Sequence, residues 1–253
     1  MSNQKVTVII PAYNEQKNIA DIVARIKETD TGIGLDVVVI DDGSTDQTAS
    51  FARLAGAKVI RHLVNMGYGA ALQTGYKYAV QRGYPYLVQL DGDGQHDPGY
   101  MPELLQMVMA GEGDLILGSR FLKMSAAGKG ALVLPQTGIA RKWGIKIFAF
   151  LTSTLVGFKI TDPTSGYQAL NRKVITFFTQ DFFPGDFPDA DIIVIAHRAG
   201  FKIKEFPMTM SQRSIGKSMH SGLKPVYYIF KMILSLFMTL LRKRTLPIPL
   251  VLI

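Results

Sequence analysis

Five short apolar runs mark the first half of the chain: Val6–Ile10, Val37–Ile40, Lys58–Arg61, Tyr86–Leu90 and Leu115–Leu117. Between them, apolar residues recur at helical spacing over about Lys17–Glu28, Thr48–Leu54, Gly69–Gln81 and Met101–Met109. That alternation predicts βαβ units. Most of the runs are rich in Val, Ile and Leu and apolar throughout, as strands of a mostly parallel sheet are when helices cover both of its faces. The expected class is therefore α/β.

The pattern changes beyond residue 200. Over residues 223–241 the positions Lys224, Tyr228, Lys231, Ser235, Thr239 and Arg242 fall at spacings of 4, 3, 4, 4 and 3, a narrow polar stripe on an otherwise apolar helix. A bilayer span needs about 20 apolar residues, whereas the longest uncharged run, Met232–Leu241, has ten. A helix lying in the membrane interface, with Arg242, Lys243 and Arg244 at the headgroups, is the expected arrangement. Burial against the domain or a partner chain, and a span with Lys231 snorkelling, are the alternatives. Trp143 and the apolar Ile145–Phe158 region read either as a second membrane contact or as a core helix.

Composition narrows the function classes. The 253 residues are 47% hydrophobic with no cysteine, which suits one sizeable globular domain and removes disulfides, thiolate metal sites and cysteine nucleophiles together. The formal charge of +8 is a property of the tail: residues 1–194 carry 18 Lys/Arg against 19 Asp/Glu, and residues 195–253 carry 10 Lys/Arg against Glu205 alone. A positive end on a near-neutral body points to an anionic membrane or phosphate-bearing partner, with a solvated face as the plainer alternative. The first apolar run stops at Pro11, too short for a secretory signal, so a cytosolic start is expected.

In an open parallel sheet, ligands bind at the carboxyl ends of the strands. Three such ends carry polar clusters: Pro11-Ala12-Tyr13-Asn14-Glu15, Asp41-Asp42-Gly43-Ser44-Thr45-Asp46 and Asp91-Gly92-Asp93-Gly94-Gln95-His96-Asp97-Pro98. Carboxylates gathered on one rim repel unless a cation or a ligand's donors neutralise them, and they would repel the phosphates of a nucleic acid. Asp91 and Asp93, leaving a strand on either side of Gly92, suit Mg2+ or Mn2+, which takes oxygen ligands and shares its site with substrate phosphates; Gln95 adds a third oxygen. Asp42 is a candidate acceptor for a base or ribose edge. Gly67-Tyr68-Gly69 lacks the Lys-Ser/Thr of a nucleoside-triphosphate loop and reads as close helix packing.

Together with Asn65-Met66-Gly67-Tyr68-Gly69, Gly118-Ser119-Arg120 and Asp162-Pro163-Thr164-Ser165-Gly166-Tyr167, these segments resemble the ordered motifs of the family 2 inverting glycosyltransferases, in particular the dolichol-phosphate mannose synthase branch. The resemblance covers roughly residues 5–220. It implies a GT-A (Rossmann-like) fold and a nucleotide-sugar donor, GDP-mannose or a UDP-hexose. By matching position, Pro11, Tyr13, Glu15 and Asp42 hold the nucleoside; Asp91, Gly92, Asp93 and Gln95 engage the metal and diphosphate; Arg213 closes over the diphosphate, with Lys217 beside it. Arg120 and Arg141 match arginines that bind the phosphate of a polyprenyl-phosphate acceptor, and Asp191 matches the acid that serves as base when the acceptor is a glycan hydroxyl. The expected organisation is a GT-A domain over residues 1–220 and a basic membrane-interface tail over 221–253, working at the cytosolic membrane face.

Overall fold

The computed structural model describes residues 5–122, 139–186, 188–210 and 224–241, with side chains for all of these except 139–143, 224–230 and 232. Seven strands, β1 Val6–Ala12, β2 Leu35–Asp41, β3 Lys58–Arg61, β4 Tyr86–Gln89, β5 Leu115–Ser119, β6 Gln168–Asn171 and β7 Ile203–Pro207, form one sheet in the order β3-β2-β1-β4-β6-β5-β7. Only β6 runs antiparallel to its neighbours. The helices are α1 Ile19–Glu28, α2 Thr48–Leu54, α3 Tyr68–Gln81, α4 Met101–Met109, α5 Ile139–Val156, α6 Arg172–Phe178, α7 Ala190–Arg198 and α8 Lys224–Leu241.

The continuous apolar strands are divided between two cores by the two-residue period of the pleat. Along β1, Val6, Val8 and Ile10 meet Ile19 and Ile22 of α1 and Leu104 of α4 on one face. Ile9 points to the other face, onto Leu72 and Tyr76 of α3 in a core shared with Phe178 of α6 and Ile193 of α7. The chain lays down β1, β2 and β3 outward, then returns to place β4 on the opposite side of β1. The β1/β4 boundary is thus the switch point, where diverging loops leave a crevice at the carboxyl ends. Gly92 lies there, so close to β1 that a Cβ would stand 3.1 Å from the carbonyl oxygen of Pro11.

The helices α1 and α8 are both amphipathic but dock by opposite faces. α1 buries Ile19, Ile22, Val23 and Ile26 and turns its charges to water. α8 packs on α7 through its polar stripe: Ser235 hydrogen-bonds Asp191, Lys231 pairs with Asp186, and the Thr239 carbonyl accepts from Arg198 at 2.7 Å, while Arg242, Lys243 and Arg244, expected at the headgroups, lie outside the described residues. Packing on the domain was among the alternatives, and the polar side faces it because Asp191 of α7, which is buried, and Asp186 of its leading loop, which is exposed, supply acceptors. Leu236 is buried with the core, while Ile233, Leu234, Phe237, Met238, Leu240 and Leu241 are 44–66% exposed. Along α5, Ile145 and Phe148 are buried and Ile147 and Phe150 exposed, so that segment is core on one side and open on the other. Among the described residues no helix is long and apolar enough to cross a membrane.

Candidate active site at the sheet switch point

Two loops close over the ends of β1 and β2 by exchanging side-chain and backbone hydrogen bonds. The amide of Asn14 donates to Ser44 Oγ at 2.9 Å, that of Glu15 to Thr48 Oγ1 at 2.9 Å and that of Gln16 to Asp46 at 3.2 Å, and Asn14 Oδ1 accepts in return from the Thr45 amide at 2.9 Å. The reversal places Asn14 at φ 55, in the left-handed region that Asn tolerates better than most residues. Tyr13 is left 47% exposed beside the crevice. Glu15 is half-buried and accepts from the Asn18 amide group at 2.7 Å, and Pro11 is buried in the last turn of pleat before the loop.

Asp42 has a different task from the nucleoside contact expected of it. One carboxylate oxygen accepts from the Met66 amide at 2.9 Å and meets His62 Nδ1 at 2.7 Å; the other accepts from the Gly67 amide at 2.9 Å. The side chain is buried and ties the loop after β3 to β2, so its charge is already answered within the chain. Asp41 behaves alike, accepting from the Ser44 amide at 3.0 Å and pairing with Arg61 Nε at 3.0 Å.

At the end of β4 the carboxylates stay half-open. The Asp91 amide donates to His96 Nδ1 at 3.2 Å, and its Oδ1 accepts from the Tyr68 hydroxyl at 2.7 Å. His96 is buried against Tyr167, and burial drives its pKa down to about 4, so the ring is a neutral acceptor at ordinary pH. Burial, then the charge of Asp91, pushes the Tyr68 phenol well above its usual range, which keeps it a donor. Asp93 Oδ1 accepts from the Gln95 amide at 3.0 Å in a tight turn. Gly166 approaches from β6; a Cβ there would stand 2.5 Å from Asp91 Oδ2.

Asp91, Asp93 and Gln95 therefore share one turn with partly exposed oxygens, a donor set suited to a hard divalent cation. Among the described residues no three His, Asp or Glu side chains form a complete cage. Two partly exposed carboxylates fit an ion that takes its remaining ligands from substrate phosphates and water.

Across the crevice the charged residues are internal. Arg120 is buried and binds Asp162 through Nε at 2.6 Å and Nη2 at 2.7 Å, with Thr164 Oγ1 at 2.8 Å from Nη2. Burial opposes its charge, yet Asp162, then Asp189 and Asp91, raise its pKa. The fork expected to hold an acceptor phosphate instead pins the 162–164 turn to β5, because Asp162 offers a carboxylate that needs no desolvated ligand to reach it. Glu205 braces the same turn from β7, accepting from the amides of Thr161 and Asp162 at 2.9 and 2.8 Å.

Asp191 is fully buried. It accepts from the amides of Asp189 at 3.0 Å and Ile192 at 2.8 Å and bonds the Ser235 hydroxyl, and burial raises its pKa. Placed beneath α8 and out of reach of solvent, it does not present the base expected of it. Arg213 and Lys217, the side chain of Arg141, and the segment Lys123–Gln136 lie outside the described residues. The roles of Tyr68 and His96 were not legible in the sequence, although an aromatic between two glycines and a His in the Asp91–Asp97 loop were the available signals.

The sequence profile of glycosyl transferase family 2 matches residues 7–177. The polyprenol monophosphomannose synthase of Mycolicibacterium smegmatis is 32% identical over 87% of this chain and 82% of its own. The undecaprenyl-phosphate mannosyltransferase of Micrococcus luteus is 30% identical over 86% of this chain and 88% of its own. Glucosyl-3-phosphoglycerate synthase from Mycobacterium tuberculosis, solved with Mn2+ and UDP-glucose, superposes with a TM-score of 0.68 at 19% identity, covering 93% of this chain and 78% of that one. This likeness places the sheet and helices in the GT-A fold.

Proposed function

Because the chain belongs to glycosyl transferase family 2, we propose that it transfers one sugar, with inversion, from a nucleotide-sugar donor, GDP-mannose or a UDP-hexose, to polyprenyl phosphate at the cytosolic membrane face. The observation that carries the choice of acceptor is the burial of Asp191. A hydroxyl acceptor needs a base within hydrogen-bond reach, and Asp191, which would serve, is bonded to Ser235 and two backbone amides. A phosphate acceptor is anionic already and needs none.

In the reaction an acceptor phosphate oxygen forms a bond to the anomeric carbon from the face opposite the nucleotide, while the bond from that carbon to the diphosphate oxygen breaks and its electron pair leaves with the diphosphate. Asp91, Asp93 and Gln95 would hold Mg2+ or Mn2+ there, and the cation supplies electrostatic stabilisation of the charge on the leaving diphosphate. Tyr13, Pro11 and Glu15 line the donor side. Arg213 and Lys217 are the proposed cations over the diphosphate, and Arg141 the one for the acceptor phosphate. The exposed apolar face of α8 and the charges of the 221–253 tail suit a bilayer surface, where the lipid chain of the acceptor remains.

The test is incorporation of labelled sugar into polyprenyl phosphate in vesicles, across GDP- and UDP-sugar donors, with and without EDTA. Lipid-phosphate-dependent label that EDTA abolishes and Mn2+ restores is the expected result; label that appears on a glycan hydroxyl in place of the lipid would overturn the reading.

A further inference from the structure

We infer that Lys231 and Ser235 of α8 are positioning residues for the crevice: by holding Asp186 and Asp191 they fix the 184–186 turn and the entry to α7, on which the start of α3 is seated, and with it the placement of Tyr68 beside Asp91. The inference rests on the transfer reading above and gives the polar side of α8 a task within it.

The 184–186 turn caps α3 from outside. The first amides of a helix have no carbonyl one turn earlier to receive them, and here those of Gly69 and Ala70 donate to the carbonyls of Asp186 and Gly185, both at 3.2 Å. The seat is close: a Cβ at Gly69 would stand 2.0 Å from the Pro184 carbonyl oxygen, and one at Gly67 3.1 Å from that of Gly185. Tyr68 lies between these two glycines, and its hydroxyl donates to Asp91 Oδ1 at 2.7 Å. A shift of the turn is therefore a shift of the tyrosine.

On its other side the turn meets α8. Gly185 and Asp186 are exposed, and the Asp186 carboxylate pairs with Lys231. One helical turn on, Ser235 bonds one oxygen of Asp191, whose other oxygen accepts from the amides of Asp189 and Ile192 at 3.0 and 2.8 Å. Residues four apart share a face of a helix, so Lys231 and Ser235 grip the turn and the first residues of α7 together. Further along, α8 is pinned independently, by Leu236 in the core and by Arg198 on the Thr239 carbonyl. Cutting one grip leaves these contacts in place, and an ion pair this open to solvent adds little to global stability. Positioning is thereby separable from folding.

The experiment is a charge swap on the full chain: Lys231→Asp, Asp186→Lys and the two combined, with Ser235→Ala beside them. Hydrogen exchange is followed at the Gly69 and Ala70 amides, and kcat and donor KM for sugar transfer are compared at equal bound fraction on phosphatidylglycerol vesicles carrying polyprenyl phosphate. Each single variant should speed exchange at those two amides by about fivefold and lower kcat by about three- to tenfold, with donor KM and the denaturant midpoint unchanged. The combined swap should return both rates to within about twofold of the unaltered protein. Should Ser235→Ala not fold, the swap decides alone. Unchanged exchange at Gly69 and Ala70, or a combined variant that behaves as the sum of its singles, overturns the inference. If the unaltered protein transfers no sugar, the transfer reading falls, and the exchange rates still decide whether α8 seats the start of α3.

Discussion

At the ends of β1 and β4, Tyr13, Asp91, Asp93 and Gln95 keep part of their surface in solvent, and the loops that carry them are held by backbone amides and short polar side chains. At the end of β5, in the turn ahead of β6 and at the start of α7, Arg120, Asp162 and Asp191 are buried and bonded to one another or to α8. Residue type does not separate the two groups, since aspartates dominate both. What separates them is exposure: Asp162 and Asp191 are buried against their partners, a guanidinium for one and a hydroxyl and two amides for the other, whereas Asp91 and Asp93, though bonded to Tyr68 and the Gln95 amide, stay partly open to solvent. On the proposed reading, chemistry requiring an external cation belongs on the first side, and the second side is scaffolding.

The largest effect expected from this division is on the sealed side. Asp162→Ala leaves Arg120 charged and buried without its partner, a loss of about 3–5 kcal/mol, readable as a lower denaturant midpoint whether or not substrate is present. On the open side, Asp93→Asn should lower sugar transfer by about 100- to 1,000-fold while the melting temperature stays within a few degrees. If the two variants exchanged these outcomes, the division would be wrong.

A third effect follows from His96, which joins the two sides through Asp91 and Tyr167. Its folded pKa is lowered from 6.5 to about 4 by burial. The unfolded chain then binds a proton that the folded chain refuses, so the contribution is complete above pH 6.5 and is lost as the pH falls toward 4. Over that window stability should fall by about 3 kcal/mol, and His96→Gln should flatten the slope in urea titrations between pH 7 and 4.5.

The open side was legible because its signals are local. Apolar runs locate β1, β2 and β4, and whatever follows each run must lie on the carboxyl rim; the bounds of β3, α2 and α4 coincide with their periodic segments. β6, with the sequence Gln-Ala-Leu-Asn, is too short and too polar to register as a run, and it forms because it fills the gap between β4 and β5. The roles of Arg120, Asp42 and Asp191 depended on partners far along the chain: Asp162 lies 42 residues from Arg120, and Ser235 lies 44 from Asp191. Charge in a motif predicts that a group matters, but its direction is set by such pairings. The same reason hid the orientation of α8, whose polar stripe finds Asp186 and Asp191 rather than water.

The smallest effect is the most discriminating, because it is expected where a catalytic role predicts a large one. Asp191→Asn retains an oxygen for the amides of Asp189 and Ile192 and gains a nitrogen that donates to Ser235, so the junction with α8 survives. As a base for a hydroxyl acceptor, Asp191 would contribute about 100- to 10,000-fold; as scaffolding it should leave lipid-phosphate glycosylation within about threefold of the unaltered enzyme. The pH dependence of stability gives an independent readout. Burial raises the folded pKa of Asp191 above its ordinary 3.8, so the folded chain holds the proton more tightly, and the group's contribution is complete below that value and lost as pH rises through the folded one. The Asn variant carries no such proton and should gain on the unaltered protein as the pH rises above 3.8. A relative loss over the same range would mean that Asp191 is ionised and solvated in the folded enzyme, which would return it to the open side of the crevice and restore the hydroxyl acceptor.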